Sequence, residues 1–109
     1  MATVRPTQPK TSEPAPYRCR EVAWRQCRLA LREELSCPVT REGGLFIISC
    51  EPLAIRAYAP TWEQAVAAFH EEFCVLWQEI GQADETTLAP DALALKQRLQ
   101  RLVARAMAG

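Results

Sequence analysis

The chain has one histidine, four glycines and no long apolar run. A membrane-spanning helix needs roughly 18 or more consecutive apolar residues, so none is expected. Residues Met1 to Pro16 have no apolar core region, which argues against a secretory signal and for a cytoplasmic protein. Gly43 and Gly44 are adjacent, but no helix follows them, so the glycine-rich phosphate loop of nucleotide-binding folds is missing. No two cysteines have CxxC spacing, which removes zinc-knuckle and redox motifs. Net charge is also lacking: 13 basic side chains balance 13 acidic ones. Over the whole chain this argues against a nucleic-acid protein, which carries a basic excess.

What is present suits one small globular domain. The chain has 109 residues, 49% hydrophobic and 24% charged. Residues 1–16 hold four of the eight prolines and little apolar surface, so a flexible tail is expected there, with a single domain over 17–109. The five cysteines, Cys19, Cys27, Cys37, Cys50 and Cys74, are odd in number and widely spaced. They read as free, mostly buried thiols that act as small hydrophobes.

Hydrophobic periodicity gives the order of elements. Tyr17 to Leu31 alternates with a period near two and reads as a strand. Leu35 to Val39 continues it in extended form. Arg41-Glu42-Gly43-Gly44 is a turn signature, and Leu45 to Cys50 is a β-branched and aromatic strand. Glu51-Pro52 ends it, and Ala54 to Tyr58 makes another short strand. Thr61 with Gln64 forms a capping box that starts a helix from Trp62 to Ile80, about 28 Å long. Trp62, Ala65, Phe69, Phe73, Leu76 and Ile80 lie on its apolar stripe, and Gly81 follows as a cap. Pro90 opens a second helix whose stripe runs through Ala92, Leu95, Leu99, Leu102, Val103 and Ala106. The expected fold is α+β: an antiparallel sheet of about three strands packed by a long amphipathic helix, then a second C-terminal helix, in the order β-β-β-α-α.

Candidate chemistry is sparse. His70 and Cys74 are four residues apart on the long helix and can reach one point beside it. That outlines half a zinc site or a Cys–His dyad. No further ligand pair and no base-orienting third group is visible, so neither a metal, a cofactor nor a catalytic residue is assigned. The simpler reading is a boundary histidine beside a semi-buried thiol.

Charge is distributed unevenly. Residues 1–50 carry eight basic and five acidic side chains, and residues 51–109 five basic and eight acidic. From Pro60 to Asp91 there are seven acidic residues and no Lys or Arg. Glu63, Glu71, Glu72, Glu79, Asp84 and Glu85 therefore offer an acidic surface for a basic protein partner. Arg18, Arg20, Arg25 and Arg28 surround Trp24, a basic and aromatic group of the kind that stacks nucleic-acid bases. This gives an alternative reading, a nucleic-acid-associated accessory subunit using the N-terminal third.

Gly43 to Leu53, followed by Tyr58-Ala59-Pro60-Thr61-Trp62-Glu63-Gln64-Ala65, resembles the HicB-like antitoxin family. In that family a glycine turn and a hydrophobic strand lead to a Pro-containing loop, a second strand and a Gly-Asp-Thr-x-x-Glu-Ala helix start. Pro52 and Leu53 match the loop, and Thr61 and Ala65 match the helix start. Gln64 stands in place of Glu, and Ala59-Pro60 in place of Gly-Asp. The match covers roughly residues 40–80. It implies a sheet covered by a helix, in a bacterial toxin–antitoxin protein that binds and masks a small basic ribonuclease. Family members usually carry a separate DNA-binding domain after this unit, where this chain has one amphipathic helix. A homo-oligomer is expected, because the second helix needs a surface for its leucines.

Overall fold

The computed structural model describes residues 15–108, so the expected tail lies outside the described residues up to position 14. Among the described residues the architecture is mixed α+β, as the patterning implies, with six strands in two antiparallel three-stranded sheets. The first sheet has the order β1-β2-β6, formed by β1 (Tyr17–Trp24), β2 (Cys27–Cys37) and β6 (Val103–Ala108). The second has the order β3-β4-β5, formed by β3 (Val39–Glu42), β4 (Leu45–Cys50) and β5 (Ile55–Ala59).

The segment Tyr17 to Leu31 is thus a hairpin rather than one strand. Trp24 pairs with Cys27 across Arg25-Gln26, and Arg25 takes φ +57° to reverse the chain. The register then jumps: Cys19 faces Leu35, while Glu21 faces Ala30. This irregularity leaves Arg32, Glu33 and Glu34 exposed on β2. In the second sheet Gly43 (φ +57°) and Gly44 (φ +81°) join Glu42 to Leu45. Two positive φ values mark the primed turn that suits a two-residue hairpin.

Helix α1 (Trp62–Leu76) starts where expected, with the Thr61 hydroxyl accepting from the Gln64 N–H at 3.2 Å. It continues through one wide helical turn, Trp77–Gly81, in which the Gln82 N–H reaches back to the Trp77 carbonyl at 3.0 Å. Gly81 does not take the left-handed conformation of a helix cap. It is glycine because the Trp77 ring lies against it: a Cβ there would be 2.4 Å from the ring's Cε3. Helix α1 spans both sheets and buries Ala65, Phe69, Phe73 and Cys74 between them.

Helix α2 (Pro90–Leu102) begins on Pro90 and ends earlier than the expected stripe. Val103 and Ala106 belong to β6, where Val103 faces Leu31 and Ala106 faces Leu29. The open edge of β2 supplies backbone partners that a longer helix would forgo. Lys96 of α2 is only 7% exposed. Its ammonium donates to the Ala83 carbonyl and lies 3.9 Å from Glu85.

Candidate functional site

The exposed side of α1 is acidic. Glu63, Glu71, Glu72 and Glu79 are all exposed, and none has a cationic partner among the described residues. At about 100° per residue, Glu72 lies about 100° to one side of Glu71 and Glu63 about 80° to the other, so the carboxylates spread over about half of the helix circumference. The opposite face is fixed in the core by Phe69 and Phe73, so the carboxylates stand on a rigid support. The other two expected acids have local partners. Asp84 accepts from the Thr86 N–H and hydroxyl, both at 3.0 Å, and these bonds hold its carboxyl below the ordinary range. Glu85 faces Lys96.

The basic group of the N-terminal hairpin is partly satisfied. Arg28 pairs with Glu21 at 3.1 Å, and the Arg25 guanidinium lies 4.4 Å over the Trp24 ring. Arg18 and Arg20 are exposed on β1 without an acidic partner among the described residues.

His70 and Cys74 face different neighbours. His70 Nε2 is 2.6 Å from the Tyr17 hydroxyl, and Nδ1 is 3.1 Å and 3.2 Å from the Ala23 nitrogen and oxygen. With Nδ1 protonated, the ring donates to the Ala23 carbonyl and accepts from Tyr17. With Nε2 protonated, it donates to Tyr17 and accepts from the Ala23 N–H. Either neutral form keeps both bonds, and burial pushes the His70 pKa down. Tyr17 is pushed up to about 12, chiefly by burial. Cys74 is fully buried, donates weakly to the Cys27 carbonyl at 3.9 Å, and is pushed up to about 12 by burial. The imidazole therefore ties α1 to β1, and the thiol stays protonated beside β2. Among the described residues no group of His, Cys, Asp or Glu is arranged to hold a metal ion, and no helix is long and apolar enough to cross a membrane.

Comparison with protein-family models, curated proteins and solved structures gives no match.

No local sequence pattern marks one further feature. Two adjoining cavities of about 360 and 440 Å³ run beside the 51–53 turn, one bordered by α2 and the other by Pro38 and Ser49, and both are lined by Leu35, Cys50 and Pro52. Arg98 and Arg101 of α2 border the first, and Arg98 donates to the Pro52 carbonyl at 3.3 Å. Cys50 and Cys37 meet at this place, opposite each other at the base of the β3–β4 hairpin. They are 13 positions apart in sequence, and only the hairpin fold makes them neighbours.

Proposed function

We propose that this chain is a non-enzymatic protein-binding module, akin to the HicB-type antitoxins, that masks a basic protein with the acidic face of α1. The supporting observation is the set Glu63, Glu71, Glu72 and Glu79, exposed and unpaired among the described residues on one rigid helix with no Lys or Arg. Such a patch adds little to stability, but it steers and orients a partner of opposite charge. The resemblance over residues 40–80 suggests what that partner is, a small basic ribonuclease. Self-association belongs to the same reading, since among the described residues β6 pairs with β2 alone and presents its outer edge.

The test is affinity capture with the wild-type chain and with a Glu63→Lys, Glu71→Lys, Glu72→Lys, Glu79→Lys variant whose fold is checked by circular dichroism. A small basic protein retained by the wild type, and lost on charge reversal or in high salt, is expected. Equal retention by both chains, or no such protein, overturns the proposal. Light scattering at micromolar concentration reports the oligomer, and a monomer mass removes that part.

Arg18 and Arg20 favour a second reading, in which the N-terminal hairpin touches nucleic acid. Gel shifts with single-stranded and duplex probes over a salt series decide it, since phosphate contacts weaken steeply with salt. No binding at low salt eliminates it.

A further inference from the structure

We propose that Cys37 and Cys50 are a peroxide-reactive thiol pair, with Cys50 the nucleophile at the groove and Cys37 the thiol that closes a disulfide onto it.

The hairpin register places the two residues opposite each other. Val39 faces Ile48 at the base of the β3–β4 ladder. The ladder continues one step further, because the Ser49 N–H donates to the Pro38 carbonyl at 3.0 Å. The next opposed pair is Cys37 and Cys50. Since Pro38 and Ser49 form the hydrogen-bonded pair, Cys37 and Cys50 occupy a non-hydrogen-bonded one. There the Cα atoms are about 4.5 Å apart and side chains come closest. A disulfide needs roughly 4.4–6.8 Å. Both side chains are buried on the core face, like those of Val39 and Ile48 two positions along each strand.

The two sulfurs differ in access and charge. Cys50 lines both cavities, whereas Cys37 is fully buried and lines neither. The neighbouring Cys37 thiol lowers the Cys50 pKa against the opposing effect of burial, and the Leu53 N–H adds to it. The same contact, with burial, pushes Cys37 up. Elsewhere burial is the main influence, holding Cys19 and Cys74 up at about 11 and about 12. Only a thiolate attacks a peroxide efficiently.

The chemistry balances with a hydroperoxide as oxidant. The Cys50 thiolate attacks one peroxide oxygen, the O–O bond breaks, and hydroxide leaves with a proton supplied by solvent. Cys50 becomes a sulfenic acid. Cys37 then gives up its proton and attacks the Cys50 sulfur. An S–S bond forms, and the sulfenic oxygen leaves as water. Two thiols and one hydrogen peroxide yield one disulfide and two waters.

The experiment treats the full chain with hydrogen peroxide, blocks remaining thiols, and maps tryptic peptides without reduction. Trypsin places all five cysteines on separate peptides, with Cys37 on 33–41 and Cys50 on 42–56. The expected first product is the cross-link between these two peptides within one chain. Its formation rises with pH across the neutral range, as attack by a thiolate requires. In Cys37→Ser, dimedone labels Cys50, and in Cys50→Ser position 37 stays reduced at the same dose. The proposal fails if Cys19, Cys27 or Cys74 is oxidised first, if the disulfide joins two copies, or if wild-type Cys50 stops at sulfenic acid. The wild-type map alone decides among these products if either variant does not fold.

Discussion

Replacing Gly81 with alanine should destabilise the protein, although the substitution normally favours a helix. Gly81→Ala gains about 0.8–1 kcal/mol of helix propensity. Against this, the new Cβ would be 2.4 Å from Trp77 Cε3 and 3.0 Å from both Cδ2 and Cζ3. The obstacle is a rigid indole, so ring or backbone must shift. Overpacking of this kind costs about 1–3 kcal/mol. The indole nitrogen is already buried without a partner, so the ring sits where it does for packing rather than for a hydrogen bond. The net expected loss is up to about 2 kcal/mol, or up to about 10 °C in Tm for a domain of this size. Urea and thermal unfolding followed by circular dichroism measure it. Trp77→Leu removes the ring, and in that background Gly81→Ala should be neutral or stabilising. The two changes would then be coupled by about 1–3 kcal/mol. A higher Tm for Gly81→Ala alone, or the same cost in both backgrounds, refutes the reasoning.

Three further perturbations separate contributions that meet at single residues. Lys96→Ala should cost about 2 kcal/mol in urea unfolding, because the buried ammonium leaves the Ala83 carbonyl unpaired. Glu85→Gln, which removes the exposed partner of the same lysine, should cost under about 0.5 kcal/mol, and a larger loss would mean the ion pair carries the contact. At the β3–β4 turn, Gly43→Asn should be nearly neutral, whereas Gly44→Val should cost at least about 1 kcal/mol, since a β-branched residue resists φ +81°. Burial lowers the His70 pKa below its unfolded value of 6.5, so the unfolded chain takes up the proton first. Its contribution is complete above that value and is lost as pH falls through the folded pKa. The urea midpoint of His70→Gln should therefore fall less than that of wild type between pH 7.5 and pH 5, and equal falls would show that His70 does not set this dependence.

Local signals carried the middle of the chain. Gly43-Gly44, the Thr61 cap and the Phe69–Phe73 stripe each state their conformation within a few residues. The ends were ambiguous for physical reasons. Trp24-Arg25-Gln26-Cys27 turns without glycine, asparagine or proline, so its alternation reads as one strand. Val103 and Ala106 are three positions apart, a helical spacing, and the register shift beside Leu31 brings both opposite β2 leucines, so a strand is not legible there from a two-residue period. The acidic face was visible because it lies opposite an apolar stripe on one helix. The contact between His70 and Tyr17 depends on β1 packing beside α1, which no local pattern states. The Cys37–Cys50 pair was hidden by sequence distance, yet each lies six positions from the nearer turn glycine, so hairpin arithmetic alone could have placed them together.

The position of β6 has a consequence for biosynthesis. Its pairing of Leu29 with Ala106 and Leu31 with Val103 joins residues separated by most of the domain. During translation the edge of β2 stays unpaired while some 70 further residues are added, roughly 4–14 s at about 5–20 residues per second. For that interval the nascent chain presents an unfilled strand edge to its neighbours on the polysome, and such edges template aggregation. Shortening the chain by its last strand would make that transient state permanent. The yield of soluble protein should thus depend on the final few residues more steeply than their small buried area suggests.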